Sequence, residues 1–255
     1  MTERFYPEVG SGGFTRRDGT IQFYQRVNAL LQPEMRVLDF GAGRGASAFH
    51  GVRYVQALGT IRGKVEKVVG VDVDPIVLTN PLLDEGVVIR PHEALPFASE
   101  SFDMIVSDFV FEHLEDPAVV CRDLDRILKP GGWICARTPN RHGYIAVGNR
   151  ALPARLKDRV LAFLQPQRDS ADVFIAYYRL NTPAAISRSF PGYKHIIYGW
   201  DSEPEYGSNR LTLRLFMLLH AVTPALFKTT LMVFLQKPDR VSPAGPNFQR
   251  AREPI

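Results

Sequence analysis

The chain has 255 residues, 45% of them hydrophobic and 23% charged, which is enough to bury one sizeable core and too apolar for a disordered chain. Its 31 basic and 27 acidic residues leave a formal charge of +4, an excess too mild to imply nucleic acid as a partner. The two cysteines, Cys121 and Cys135, lack CxxC or zinc-ligand spacing, so the residues indicate no disulfide framework and no metal site, and a reducing cytoplasm fits best.

The opening MTERFYPEVGSGGF carries acids and glycines without an apolar segment, and reads as neither a signal nor a transit peptide. Helical spacing of Ile21, Tyr24, Val27, Leu30 and Leu31 then predicts an amphipathic helix over 20–31. The apolar run MRVLDF predicts a first strand ending in glycines, with Ala46 to Leu58 as the helix that follows. VEKVVGVDVDP, GVVIR and SFDMIVSDFV predict the next three strands, 116–128 a helix, and WICART a fifth strand after the turn KPGG. Short apolar strands alternating with helices predict an α/β fold, a Rossmann-like doubly wound sheet that is mostly parallel and covered on both faces.

Beyond Pro139 the alternation breaks, so residues 138–190 read as a substrate lid inserted before strand 6. YKHIIYGW and TTLMVFLQ supply the last two of seven strands. Residues 1–237 are expected to form a single domain, and 238–255, rich in proline and charge, a disordered tail. The apolar stretch 211–227 is interrupted by Arg214, His220 and Pro224 and falls short of the roughly 20 residues of a membrane span. Capping the core is the cheaper reading of it, and resting on a membrane surface is the other.

The segment Asp39-Phe-Gly41-Ala-Gly43-Arg-Gly45 ends the first strand, where open α/β sheets bind ligands. Its glycines let the backbone turn tightly and approach a ligand, and Asp39 suits a cationic group. Gly41, Gly43 and Ala46 also fit a dinucleotide fingerprint, so an NAD-dependent oxidoreductase stays open, as does a plain strand-to-helix turn. Asp72, with Val73 beside it, ends the second strand, where a carboxylate can accept both hydroxyls of a ribose. Asp74, ahead of Pro75, reads as a helix cap.

In this order, DFGAGRG, GVDVDP, LPFASESFDMIVSDFVFEHLEDP and LKPGG resemble the class I S-adenosylmethionine (SAM) dependent methyltransferases of the methyltransferase-11 type, from Met35 to about Asn140. The resemblance implies SAM as cofactor, with Gly41, Gly43 and Gly45 along its methionine part, Asp39 beside its amino group, and Asp72 and Val73 at its ribose. It also implies an antiparallel last strand and places Ser107 near the departing methyl group. Where such domains carry an acid for adenine, this chain has Pro91, so His92 and Glu93 are the substitutes. The LPF and LKPGG segments have no role in an oxidoreductase. A methyltransferase-like binding protein without turnover is the non-enzymatic rival.

Methyl transfer from a sulfonium needs alignment more than acid-base help, and positioning alone can supply about 7–11 kcal/mol. Candidate bases are His113, which could instead pair with Glu112 to stabilise its turn, and from the lid His142, Tyr144 and Tyr178, the tyrosines having a packing role as the alternative. Arg137, Arg141, Arg150, Arg155, Lys157 and Arg159 face a single acid, Asp158, over 137–159. That suits an anionic acceptor, or equally a solvated helical face. The expected acceptor is a small molecule, glycan or lipid-linked group, methylated on oxygen or nitrogen rather than carbon. No base-methylation motif points to nucleic acid. Oligomeric state leaves no mark on the sequence.

Overall fold

The computed structural model describes residues 2–144, 146–147, 175–203 and 210–240. Among them, seven strands form one sheet in the order β3-β2-β1-β4-β5-β7-β6. The strands are β1 Arg36–Phe40, β2 Lys67–Asp72, β3 Glu85–Val88, β4 Phe102–Asp108, β5 Leu128–Pro139, β6 Lys194–Trp200 and β7 Thr230–Gln236. β1 to β5 pair in parallel, and β7 runs antiparallel between β5 and β6. The doubly wound sheet and its antiparallel last strand are as expected.

Alternate strand residues feed opposite faces of the sheet. Leu38, Ile105 and Ile134 pack with Leu124 and Ile127 of α4, Pro117–Ile127. Val37, Met104 and Cys135 pack with Phe23 and Val27 of α2, Gly19–Leu30. Each such side chain contributes about 1.5–3 kcal/mol by leaving water, which makes the two-sided core the main stabiliser of the sheet. Asp18 caps α2 by accepting from Thr20 N at 2.8 Å and Ile21 N at 3.0 Å. Asp116 caps α4 through Ala118 N at 3.1 Å.

The helix expected over 46–58 is broken. A 3-10 turn at Ala46–Phe49 precedes α3, Arg53–Gly59. Gly51 costs about 1 kcal/mol in a helix interior, and His50 Nδ1 accepts the Val52 amide at 3.1 Å, which draws the backbone out of the helix. KPGG, expected as a turn, lies within β5.

Of the remaining helices, α1 is Thr2–Phe5, α5 is Pro183–Ser189 and α6 is Arg210–Val222. The expectation that the 211–227 stretch caps the core holds for one face only. Leu213 and His220 are buried, whereas Leu215, Leu218 and Val222 point outward. Most of the expected lid, with Arg150, Arg155, Lys157 and Arg159, and the tail beyond 240 lie outside the described residues.

Candidate active site

The carboxyl ends of β1, β2 and β4 lie side by side, because Asp39 pairs with Gly70 and Val106 in the parallel register. Each strand therefore delivers an acid to the same edge: Asp39, Asp72 and Asp108 all line one cleft of about 1140 Å³. Its walls also include Gly41, Gly43, Gly45, Val73, His92, Glu93 and His113.

The glycine loop is folded back onto β2. Gly41 N and Ala42 N both donate to Val71 O, at 2.8 and 3.1 Å. Gly41 adopts φ +81°, and a Cβ there would stand 2.2 Å from Val110 Cγ2. Gly45 adopts φ +75°, and its Cβ would stand 2.2 Å from Asn80 Oδ1. Only glycine fits either place, since L side chains rarely adopt that backbone and the space is already filled. Gly43 N donates to Asp72 Oδ2 at 2.9 Å, while Asp74 N donates to Asp72 Oδ1 at 2.9 Å. Asn80 closes the other side through Nδ2, which donates to Ala42 O at 3.0 Å and Gly43 O at 3.2 Å.

Electrostatically the cleft is unbalanced toward the negative. Burial, then the Asp108 and Asp72 carboxylates, push Asp39 up to about 7. Asp108 is held by the Arg137 guanidinium, whose Nη2 donates to Oδ2 at 2.9 Å, and by Tyr24 OH, which donates to the same oxygen at 3.4 Å. Arg137 is itself buried, with the rings of Phe109 and Phe23 at 4.8 and 5.7 Å. Three further buried side chains form a polar chain. Asn181 Nδ2 donates to Thr138 Oγ1 at 2.6 Å, and Thr138 Oγ1 donates to Glu112 Oε2 at 2.9 Å. Burial raises the Glu112 carboxyl above the usual range.

Residues 38–136 match the methyltransferase domain family. This segment is a class I methyltransferase domain. Over 159 residues the chain is 29% identical to the ubiquinone/menaquinone biosynthesis C-methyltransferase UbiE of Laribacter hongkongensis, covering 57% of this chain and 61% of that one. Over 60 residues it is 40% identical to the ubiquinone biosynthesis O-methyltransferase of Parvibaculum lavamentivorans, covering 22% and 24%. The match thus spans less than two thirds of either relative. Among solved structures, a SAM-dependent methyltransferase from Archaeoglobus fulgidus superposes with TM-score 0.53 at 16% identity, covering 91% of this chain and 100% of that one. The methyltransferase complex of Haloferax volcanii with the activator Trm112 superposes with TM-score 0.53 at 17% identity, covering 88% and 92%. These likenesses show the fold.

The cofactor of the class I methyltransferase domain is SAM, and the residues fit it: a loop that tolerates no Cβ at two positions walls a cleft whose three acids repel one another. A ligand bearing positive charge relieves that repulsion.

Among the sequence-derived candidates, Asp39, Gly41, Gly43, Gly45, Asp72, Val73, His92, Glu93 and His113 all face the methyltransferase cleft. Ser107 does not. It is fully buried in β4, one residue out of phase with Asp108, and its Oγ has no hydrogen-bond partner. His142, Tyr144 and Tyr178 also lie away from the cleft walls, whereas Tyr177 lines them. Tyr144 OH meets His220 Nε2 at 2.8 Å instead, and Tyr178 N donates to Glu112 O at 3.2 Å. His92 stands 3.5 Å from Glu115 and Arg90 stands 3.5 Å from Glu93, so the substitutes for the missing adenine acid are engaged with neighbours.

Sequence reasoning missed Asn80, Tyr24 and the Asp108–Arg137 pair as parts of the site. Asp108 could have been found, since it ends a strand two residues beyond Val106, the partner of Asp39. Asn80 and Tyr24 carry no local signal, because each reaches the site from an element outside the motif.

Proposed function

We propose that the protein transfers a methyl group from SAM to the oxygen or nitrogen of a small-molecule, glycan or lipid-linked acceptor. The observation that carries this reading is the convergence of Asp39, Asp72 and Asp108 on one glycine-walled cleft. When bound, SAM supplies an electrophilic methyl group already activated by its sulfonium.

The residues of the chain then have distinct tasks. Asp39 and Asp108 offer negative charge where the cationic end of the cofactor would lie, and Asp72 and Val73 would hold its ribose. His92 and Glu93 edge the adenine side. A volume of about 1140 Å³ exceeds the roughly 300–1,000 Å³ of ordinary ligand pockets, leaving room for an acceptor beside the cofactor.

Of the four base candidates, His113 lines the cleft. Its Nδ1 lies 3.0 Å from Ile175 O. A carbonyl only accepts, so the neutral ring carries its proton on Nδ1, and Nε2, which lies 4.0 Å from Glu112 Oε1, is the nitrogen left to take one. Nε2 would take the proton of an acceptor hydroxyl or amine.

Calorimetric titration with S-adenosylhomocysteine and with NAD, on wild type and Asp39→Ala, tests the cofactor. Binding of the former alone, weakened by the substitution, supports the reading. Binding of NAD in its place sinks it, and binding of neither favours a protein without turnover. Carbon methylation is the second reading, favoured by the name of the UbiE relative. Carbon-13 NMR of product made with methyl-labelled SAM distinguishes the two by chemical shift.

A further inference from the structure

An amphipathic helix turns its apolar stripe inward, yet α6 also carries one on its outer side. Its inner face packs Leu213 and His220 into the protein. Its outer face presents Leu215, Leu218 and Val222, exposed to 63%, 60% and 66% and spaced to fall on one stripe. Leu226 and Phe227, in the 3-10 turn that follows, extend the apolar surface.

Charge and position narrow what this surface meets. Residues 210–229 contain no acid, and Arg214 is exposed on the helix with its guanidinium over the Phe5 ring at 5.9 Å. The guanidinium of Arg214 beside the leucine stripe complements anionic headgroups, with the aliphatic stripe entering the acyl boundary, whereas Lys228 is spent on Asp201 at 2.8 Å. The helix also sits at the edge of the sheet that carries the cleft. It connects Trp200 to Thr230, which pair with each other, and Thr230 pairs in turn with Pro139 at the carboxyl end of β5. Asn140 fixes the connection there by donating to Leu226 O and Lys228 O, both at 2.8 Å.

We propose that α6 is a docking face for an anionic lipid bilayer. Spanning is not involved, since no helix among the described residues is long and apolar enough to cross a membrane. The 13 residues of α6 make a rod of about 20 Å that would lie in the plane of the headgroups.

The test is co-sedimentation of the full chain with vesicles of equimolar phosphatidylcholine and phosphatidylglycerol, and with phosphatidylcholine alone. Wild type is expected to sediment with the mixed vesicles and weakly with the neutral ones. Leu215→Gln with Leu218→Gln should weaken that partitioning at least about tenfold, with S-adenosylhomocysteine binding unchanged as the control for folding. Arg214→Glu provides a second variant should the double change misfold, and it should abolish the preference for anionic vesicles. Absence of wild-type binding, or equal binding by the variants, overturns the proposal. So does a leucine-dependent dimer in light scattering without vesicle binding, which would assign the face to a second copy of the chain.

Discussion

Asp72 accepts the backbone N–H of Gly43 at 2.9 Å. The carboxylate assigned to a ribose therefore also pins the loop that walls the cofactor cleft, and its two roles are separable by substitution. Asp72→Ala should lower thermal stability by about 1–2 kcal/mol through the loss of two accepted amides, and weaken S-adenosylhomocysteine binding. Asp72→Asn keeps one oxygen acceptor, so calorimetry should show it recovering part of the stability while the affinity stays reduced.

Asn80 holds the opposite side of the loop without lining the cleft. Asn80→Ala leaves the Ala42 and Gly43 carbonyls without that donor, and should cost about 1–3 kcal/mol in denaturant unfolding. Affinity for S-adenosylhomocysteine should fall with it. Gly41→Ala should be worse than either for binding, because its new methyl group would meet Val110 at 2.2 Å on a backbone of φ +81°.

Asp39 makes the unliganded protein sensitive to pH. Its folded value of about 7 lies above the ordinary 3.8, so the folded chain keeps a proton that the unfolded chain releases. The contribution of this group to stability is full below about 4 and is lost as pH rises to about 7. Melting temperature without ligand should therefore fall across that window, and Asp39→Asn should flatten the fall. S-adenosylhomocysteine, whose amino group is cationic, should bind more tightly as pH rises through 7, with proton release seen as a buffer-dependent enthalpy in calorimetry.

Arg137 compensates Asp108 from a buried position. Arg137→Met would leave that carboxylate with Tyr24 as its remaining side-chain donor, and should cost about 3–5 kcal/mol, read as a shift in the urea midpoint. Asp108→Asn together with Arg137→Met should recover much of the loss, since the pair then leaves no isolated charge.

The sheet was legible in the chain because its central strands are short apolar runs ending in acids or glycines, as in MRVLDF before Gly41 and VVGVD at Asp72. Asp39, Asp72 and the glycines were legible for the same reason, lying within a few residues of a strand end. The break at Gly51 was not, since helical spacing continues across it and the deciding contact is one from His50 to the Val52 amide. Ser107 was misplaced by one residue of strand phase, which in a sheet is the whole difference between cleft and core. Tyr24 reaches Asp108 across 84 positions of sequence, a distance no local pattern records.

β7 lies between β5 and β6, although it follows both in the chain. Until Thr230–Gln236 has left the ribosome, β6 lacks the neighbour that joins it to the sheet and β5 has one open edge. A growing chain can assemble β1 to β5 early, but it carries that bare edge until β7 arrives. Translation that stalls before residue 230 should thus yield a sticky five-stranded sheet, and β7 acts as the latch that closes it.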